Sequence, residues 1–398
     1  MLSLTLELVK NNPKRSNSDC LKPFAPSEVK KVRAFHESMW GYYHATPLRE
    51  LKELAAWLGV KNIFVKDESS RFNLQSFKAL GGSFAIASYL AKKCACPLDF
   101  DKLTYESVQE KVGNITFATT TDGNHGRGVA WTARILGFSS VVYMPKGSVQ
   151  ERVDNIKHEG ATVKVTELNY DDTVRLLAKD AKQNGWVVIQ DTAWPEYEEI
   201  PLWIMQGYST MAEEALEKMP IAPTHVFAQA GVGSMAAAVQ AVVANRHYRK
   251  EPAFVILEAA EANCFYRSMS QGVPVSVKGD LNTIMAGLAC GEVNPLAWKI
   301  ISNYSAFCLS CHDDVAALGM RLWGNPLGDD PKITAGESGA IGGGVIGLLD
   351  KYHNLKTDMG INKDSVLLFF NTEGDTVPKN YLDIVWGGKM PCDFRSDV

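Results

Sequence analysis

Ile115-Thr116-Phe117-Ala118-Thr119-Thr120-Thr121-Asp122-Gly123-Asn124-His125-Gly126 holds the architecture of this chain in miniature. A β-branched and aromatic run ends in a polar turn edged by glycine, and residues 128–136 follow with helical spacing. A strand that turns directly into a helix is half of a βαβ unit. The pattern then repeats. Residues 140–144, 162–166 and 186–190 read as strands, with helices at 149–158 and 171–183. Strands joined in this way by crossover helices predict a compact parallel α/β unit.

A second series lies further along, with strands at 224–229, 253–258, 305–309 and 366–370 and helices at 234–245, 313–323 and 338–352. A strand at 63–66 precedes the first series but belongs with the second, so the chain is expected to leave one domain, build another and return. The expected fold is therefore α/β, with two domains that each have a central, mostly parallel sheet flanked by helices. Residues 1–88 and 205–398 form the larger domain, and 89–204 the smaller one inserted between them. Open sheets of this kind bind ligands beyond the carboxyl ends of their strands. Four polar or glycine-rich turns fall at such ends: 122–126, 191–194, 231–234 and 372–375.

The 398 residues are 46% hydrophobic and 22% charged, which is ordinary globular composition with room for two domains. A net charge of -4 offers no basic footprint for nucleic acid or anionic lipid. No stretch is long and apolar enough to span a bilayer, and the first residues lack a basic flank and a small-residue cleavage site, so the expected location is the cytoplasm. Eight mostly scattered cysteines suit reduced thiols. Cys308-Leu309-Ser310-Cys311-His312 has the spacing of a haem attachment, but it reads as a buried strand running into the acidic start of a helix, and no metal is expected. Cys264 and Cys290 both follow segments near the expected site, where a redox-sensitive pair is one reading of them.

The chemistry starts from Lys78, a single cation in Ser76-Phe77-Lys78-Ala79-Leu80-Gly81-Gly82. Most lysines are solvated surface groups. A desolvated one loses its proton readily and forms an imine with an aldehyde. Gly231-Val232-Gly233-Ser234 follows a strand and opens a helix, which aims backbone N–H groups at an anion. The same loop fits a dinucleotide fingerprint, with Glu258 ending the next strand at the distance expected of a ribose ligand. A nicotinamide dehydrogenase is thus a rival reading, but it leaves Lys78 and the 122–126 turn without a role. One phosphate group and one aldehyde on the same cofactor account for both, and pyridoxal phosphate carries both.

With these motifs in order along most of its length, the chain resembles the fold type II pyridoxal-phosphate enzymes, the family of the tryptophan synthase β subunit, threonine dehydratase and serine racemase. Ser76-Phe77-Lys78 looks like their lysine motif, Thr121-Asp122-Gly123-Asn124-His125 their asparagine loop, and Gly231 to Ser234 their phosphate loop. Within the family the likeness is greatest to the ammonia-lyase branch that acts on 2,3-diaminopropionate. Thr120 to Gly126, Asp191-Thr192-Ala193-Trp194 and Asn371-Thr372-Glu373-Gly374-Asp375 carry it. The resemblance implies a homodimer with bound pyridoxal 5'-phosphate that converts 2,3-diaminopropionate to pyruvate and ammonia by α,β-elimination, through a lysine aldimine and an aminoacrylate. A serine or threonine dehydratase of the same fold is the alternative.

Under that resemblance the cofactor is held by Phe77, Lys78, Asn124, Gly231, Val232, Gly233, Ser234 and Thr372. Asn124 would bond the ring oxygen, and Thr372 would offer its hydroxyl to the pyridine nitrogen. Thr120, Thr121, Asn124 and His125 would receive the substrate carboxylate. Lys78 and Asp122, facing one another across the substrate, would act as bases on the L and D forms. A β-ammonium is a direct partner for two aspartates, and Asp191 would bind it or tune Asp122. The plainer readings are a turn aspartate at 122 and a helix cap at 191. Glu337 and Ser338 open a late glycine-rich segment, either to cap a helix or to reach the ligand.

Overall fold

The computed structural model describes residues 6–121 and 123–391. Among them, β1 (Leu6–Lys10), β2 (Leu48–Glu50), β3 (Asn62–Asp67), β4 (Thr116–Thr120), β5 (Ser139–Met144), β6 (Thr162–Val165), β7 (Val187–Val188), β8 (His225–Gln229), β9 (Ala253–Ala259), β10 (Phe307–Cys311) and β11 (Val366–Asn371) form two sheets. The larger has the order β1-β10-β9-β8-β11-β3-β2, and the smaller β6-β5-β4-β7. Every pairing is parallel except at the two edges of the larger sheet, where β1 and β2 run antiparallel to their neighbours. This is the expected α/β architecture.

The interior strands read as near-continuous apolar runs because helices cover both of their faces. All five residues of β8 and all six of β11 are buried. Phe227 and Phe369 stack across these two strands with ring centroids 4.4 Å apart. The edge strand β6 keeps the polar alternation of a solvated border. Helices Lys78–Cys94 and Glu199–Lys218 pack on one another and run through the expected divisions at 88/89 and 204/205, so helices connect the two parts of the chain.

The structure adds two short edge strands that the sequence reading did not include, β1 and β2, neither with an interior strand's apolar run, and it corrects two local expectations. β7 has two residues rather than five because the chain peels away after Ile189, and the Gln190 amide donates to the Tyr197 hydroxyl at 2.8 Å instead of to a strand. The helix expected at 338–352 is Ile341–Leu348, followed by a separate His353–Met359. The Ser338 amide donates to the Glu373 carboxylate at 2.9 Å, which holds the start of that segment as a turn. No helix among the described residues is long and apolar enough to cross a membrane.

Candidate active site

Adjacency of β8, β11 and β3 brings together three loops far apart in sequence. After β3 the chain passes through Phe72, Asn73 and Gln75, all with positive φ (53°, 58° and 57°), before Lys78 opens its helix. A buried ion cluster pins this strained passage. Arg71 contacts Glu68 and Glu214 at 2.8 Å each, Lys66 also pairs with Glu214, and all four side chains are fully buried. Such a cluster is weak evidence for stability but strongly fixes geometry, since losing one partner strands a buried charge. The Phe77 ring, 4.7 Å from that of Tyr208, completes the apolar setting of Lys78.

Lys78 Nζ lies 2.8 Å from Asp191 Oδ2, with the lysine side chain 17% and the aspartate 5% exposed. Asp191 leaves the end of β7 in the smaller sheet, so this ion pair crosses between the sheets. Burial alone would raise the Asp191 carboxyl. The Lys78 charge, the neighbouring His125 and hydrogen bonds from Lys78 and Tyr170 outweigh it and hold Asp191 well below the usual carboxylate range. Asp191 is thus ionised and suited to holding a cation, and it is no helix cap.

The 231–234 loop follows β8 and passes into helix Ser234–Ala244, with Gly233 as its N-cap at φ 90°. A Cβ on Gly233 would run into the Phe265 ring, and one on Gly231 would come within 3.0 Å of the Gly287 carbonyl. A side chain at Gly233 would force the ring or the backbone to move, and one at Gly231 would crowd the Gly287 carbonyl. The Ser234 hydroxyl donates to the Asp191 carbonyl at 2.6 Å and accepts from Asn294 at 2.8 Å, so its backbone amide is what remains for an anion. The loop, Phe77, Lys78, Thr121, Asn124, His125, Asp191 and Thr372 line one pocket.

Thr120 is a correction. It lines no part of this pocket: its amide donates to Gln190 Oε1 at 2.9 Å and its hydroxyl to the Thr173 carbonyl at 3.4 Å. Strand alternation turns its side chain away from the pocket that Thr121 lines. The Thr121 hydroxyl accepts from the Gly123 amide at 2.8 Å, which tightens the turn. His125 Nε2 donates to the Ile189 carbonyl at 2.8 Å and ties β4's turn to the chain leaving β7. Asp122 lies outside the described residues.

Sequence reading missed Gln229, Glu373 and Tyr170. Gln229 ends β8, and its side-chain nitrogen lies 3.1 Å from Thr372 Oγ1 and from the Ser338 and Phe370 carbonyls, which fixes it beside the Thr372 hydroxyl. Glu373 accepts from Asn124 Nδ2 and from Ser338. Tyr170 donates to Asp191 Oδ1 at 3.3 Å. Ser338 lines the pocket, whereas Glu337 accepts from Asn380. Glu373 lies within the 371–375 motif but was given no role there, and no short motif marks Gln229 or Tyr170, because strand order places all three.

Glu258 removes the nicotinamide reading. It is fully buried, accepts from the amides of Phe265 and Tyr266 at 2.8 and 2.7 Å, and so caps the helix Cys264–Gln271 where a ribose ligand would have to be exposed. Cys264 and Cys290 sit on either side of Gly231, the first with Sγ 3.8 Å from its carbonyl and the second against its Cα face.

A primary amine, a glycine cradle at a helix N-terminus and a hydroxyl with a proton to donate match the aldehyde, phosphate and ring nitrogen of pyridoxal phosphate. The sequence matches the family described as pyridoxal-phosphate dependent enzyme over residues 39–358, and the chain belongs to that family. Pyridoxal phosphate is its cofactor. More narrowly, the chain is 50% identical over 397 residues, 98% of each sequence, to the diaminopropionate ammonia-lyase of Escherichia coli K12, and 47% identical over 373 residues to that of Salmonella typhimurium LT2, covering 90% of this chain and 92% of the relative. The crystal structure of the Escherichia coli enzyme in complex with an aminoacrylate-PLP azomethine reaction intermediate superposes with a TM-score of 0.90 at 48% identity, covering 98% of this chain and 99% of that one. Tomato threonine deaminase, at 18% identity and a TM-score of 0.73 over 96% of each chain, shares the fold.

Proposed function

We propose that this chain eliminates the β-amino group of 2,3-diaminopropionate, in both D and L forms, to give pyruvate and ammonia, as a cytoplasmic homodimer. The relatives at 47–50% identity support the substrate, and the scattered cysteines and the family resemblance support the setting. The observation that carries the reading is the Lys78–Asp191 pair at 2.8 Å in a pocket edged by the glycine loop. With Lys78 holding the cofactor aldehyde, the ionised Asp191 faces the substrate and takes the same kind of cation, a primary ammonium. A hydroxyl side chain would leave that buried charge without a partner.

The other roles are drawn from the family resemblance together with the placement of the described residues, and that of Asp122 from the resemblance alone. Amides of Gly231, Val232, Gly233 and Ser234 hold the phosphate, and the Thr372 hydroxyl faces the pyridine nitrogen. Thr121, Asn124 and His125 present their turn to the substrate carboxylate. Bound pyridoxal phosphate supplies an electron sink for negative charge at the substrate Cα. Lys78 Nζ takes the Cα proton of the L form, and Asp122 that of the D form. Asp191 orients the β-nitrogen so that the Cβ–N bond breaks and one ammonia leaves; water then hydrolyses the released aminoacrylate to pyruvate and the second ammonia. The cleft between the larger domain (1–88 and 205–398) and the smaller one (89–204) encloses these steps.

The purified protein should absorb in the visible, and Lys78→Ala should remove that band and lower turnover by at least about 10²-fold. Pyruvate release is then compared for D- and L-diaminopropionate, serine and threonine. A preference for the hydroxy amino acids would make the chain a dehydratase instead.

A further inference from the structure

Glu373 is only 2% exposed and lines the same pocket as Lys78 and Thr372, yet nothing in the reading above requires a carboxylate there. Burying one is costly unless fixed donors meet its oxygens. Here they do. Oε1 accepts from the Ser338 amide at 2.9 Å, and Oε2 accepts from Asn124 Nδ2. Its surroundings are tight: a Cβ at Gly336 would fall 2.5 Å from the Gly374 carbonyl oxygen and 2.9 Å from Glu373 Cγ, and one at Gly339 would run into Asn371 Oδ1 and fall 2.9 Å from the Glu373 carbonyl oxygen. A β-bridge to Ser76 ties Glu373 to the passage that delivers Lys78. Asn124 opens the helix that follows β4, whereas Glu373 follows β11, so their bond joins the two sheets across the pocket.

The chemistry of the pair is directional. A carboxylate only accepts hydrogen bonds, whereas an asparagine amide can turn either its oxygen or its NH₂ toward a neighbour. Glu373 therefore dictates which end of the Asn124 amide faces it. With one N–H given to Glu373, the second N–H of the same nitrogen is available for another acceptor. In the proposed site that acceptor is the cofactor's ring oxygen. Were the amide reversed, its carbonyl would face both the carboxylate and the ring oxygen, which are like in charge.

We propose that Glu373 is a positioning residue that locks the Asn124 amide with its nitrogen toward the pocket, so that Asn124 donates to the cofactor's ring oxygen. The proposal rests on the role given to Asn124 above. Its test is the pH dependence of the bound cofactor's visible absorption, together with cofactor dissociation, in the holoenzyme and in the variants Glu373→Gln, Glu373→Asp, Asn124→Ala and Glu373→Gln/Asn124→Ala. Glutamine can present either an acceptor or a donor to Asn124, so it releases the amide. Glu373→Gln should displace the spectral midpoint in the same direction as Asn124→Ala and raise the dissociation constant for pyridoxal phosphate roughly tenfold. The double variant should go no further than Asn124→Ala, and Glu373→Asp should recover most of the wild-type spectrum.

Thermal unfolding of the cofactor-free proteins separates this role from a structural one, which would lower the melting temperature and leave the spectral midpoint in place. If Asn124→Ala moves the midpoint while Glu373→Gln does not, or if the two shifts add in the double variant, Glu373 does not act through Asn124 and the proposal falls alone. If Asn124→Ala also leaves the midpoint unmoved, the role of Asn124 falls with it. Should Glu373→Gln fail to fold, Glu373→Ala takes its place: it too must move the midpoint in the direction of Asn124→Ala, and an unmoved midpoint counts against the proposal.

Discussion

At Asp191, burial and charge pull in opposite directions, and charge prevails because the Lys78 ammonium is in direct contact. A charge-assisted hydrogen bond contributes about 1.5–3 kcal/mol, or roughly 10- to 100-fold in affinity. Asp191→Asn should therefore lower the ratio of kcat/KM for diaminopropionate to that for serine of the same hand by about that factor. An unchanged ratio would show that Asp191 does not read the β-ammonium. The two-base arrangement makes a separate prediction. Asp122→Asn should cost far more activity on D-diaminopropionate than on the L form, on the order of 10² or more on D, and chiral substrate assays read this directly. Equal losses would mean that one base serves both enantiomers.

Among the elements, the turn from β8 into helix Ser234–Ala244 is the one whose shape leaves no latitude. Gly233 holds φ 90°, and the Phe265 ring fills the space where a side chain would begin. Gly233→Ala must strain the backbone, move the ring or both, at a cost of about 1 to 3 kcal/mol. Because the loop is the proposed phosphate seat, cofactor affinity should fall at least roughly tenfold in a spectrophotometric titration, and wild-type retention would place the phosphate elsewhere. This loop was legible in the sequence because glycines at a strand–helix junction have a local cause. Glu373 was not, although it stands next to Thr372 in the chain. Its contacts with Asn124 and Ser338 lie 249 and 35 residues away, and no local spacing encodes them.

Across the whole molecule, Glu258 couples stability to pH. Burial pushes its carboxyl up to about 7 from an ordinary 4.5, against the lowering effect of the Phe265 and Tyr266 amides. The folded state thus holds a proton that the unfolded chain releases at lower pH. The associated stability is fully present below about pH 4.5, declines as pH rises, and is lost above about pH 7. The difference amounts to about 3 kcal/mol. In Glu258→Gln, which has no proton to lose, this decline should be missing from denaturant midpoints measured between pH 4.5 and 8. A decline of wild-type size in the variant would assign it to other groups.

The α/β class, the setting of Lys78 and the outline of the glycine loop were in the sequence because each has a local signature: apolar periodicity, a cation in an apolar stretch, glycines at a strand end. Strand order lay beyond it. The order β8-β11-β3 sets residues 78, 231 and 372 side by side, and the packing of the smaller sheet against the larger sets Asp191 on Lys78. The same packing brought Glu373 to Asn124, while strand alternation turned Thr120 away from the pocket and the turn after β9 buried Glu258 as a helix cap. Periodicity records which face of an element is buried, whereas the neighbour it is buried against depends on contacts between residues hundreds of positions apart.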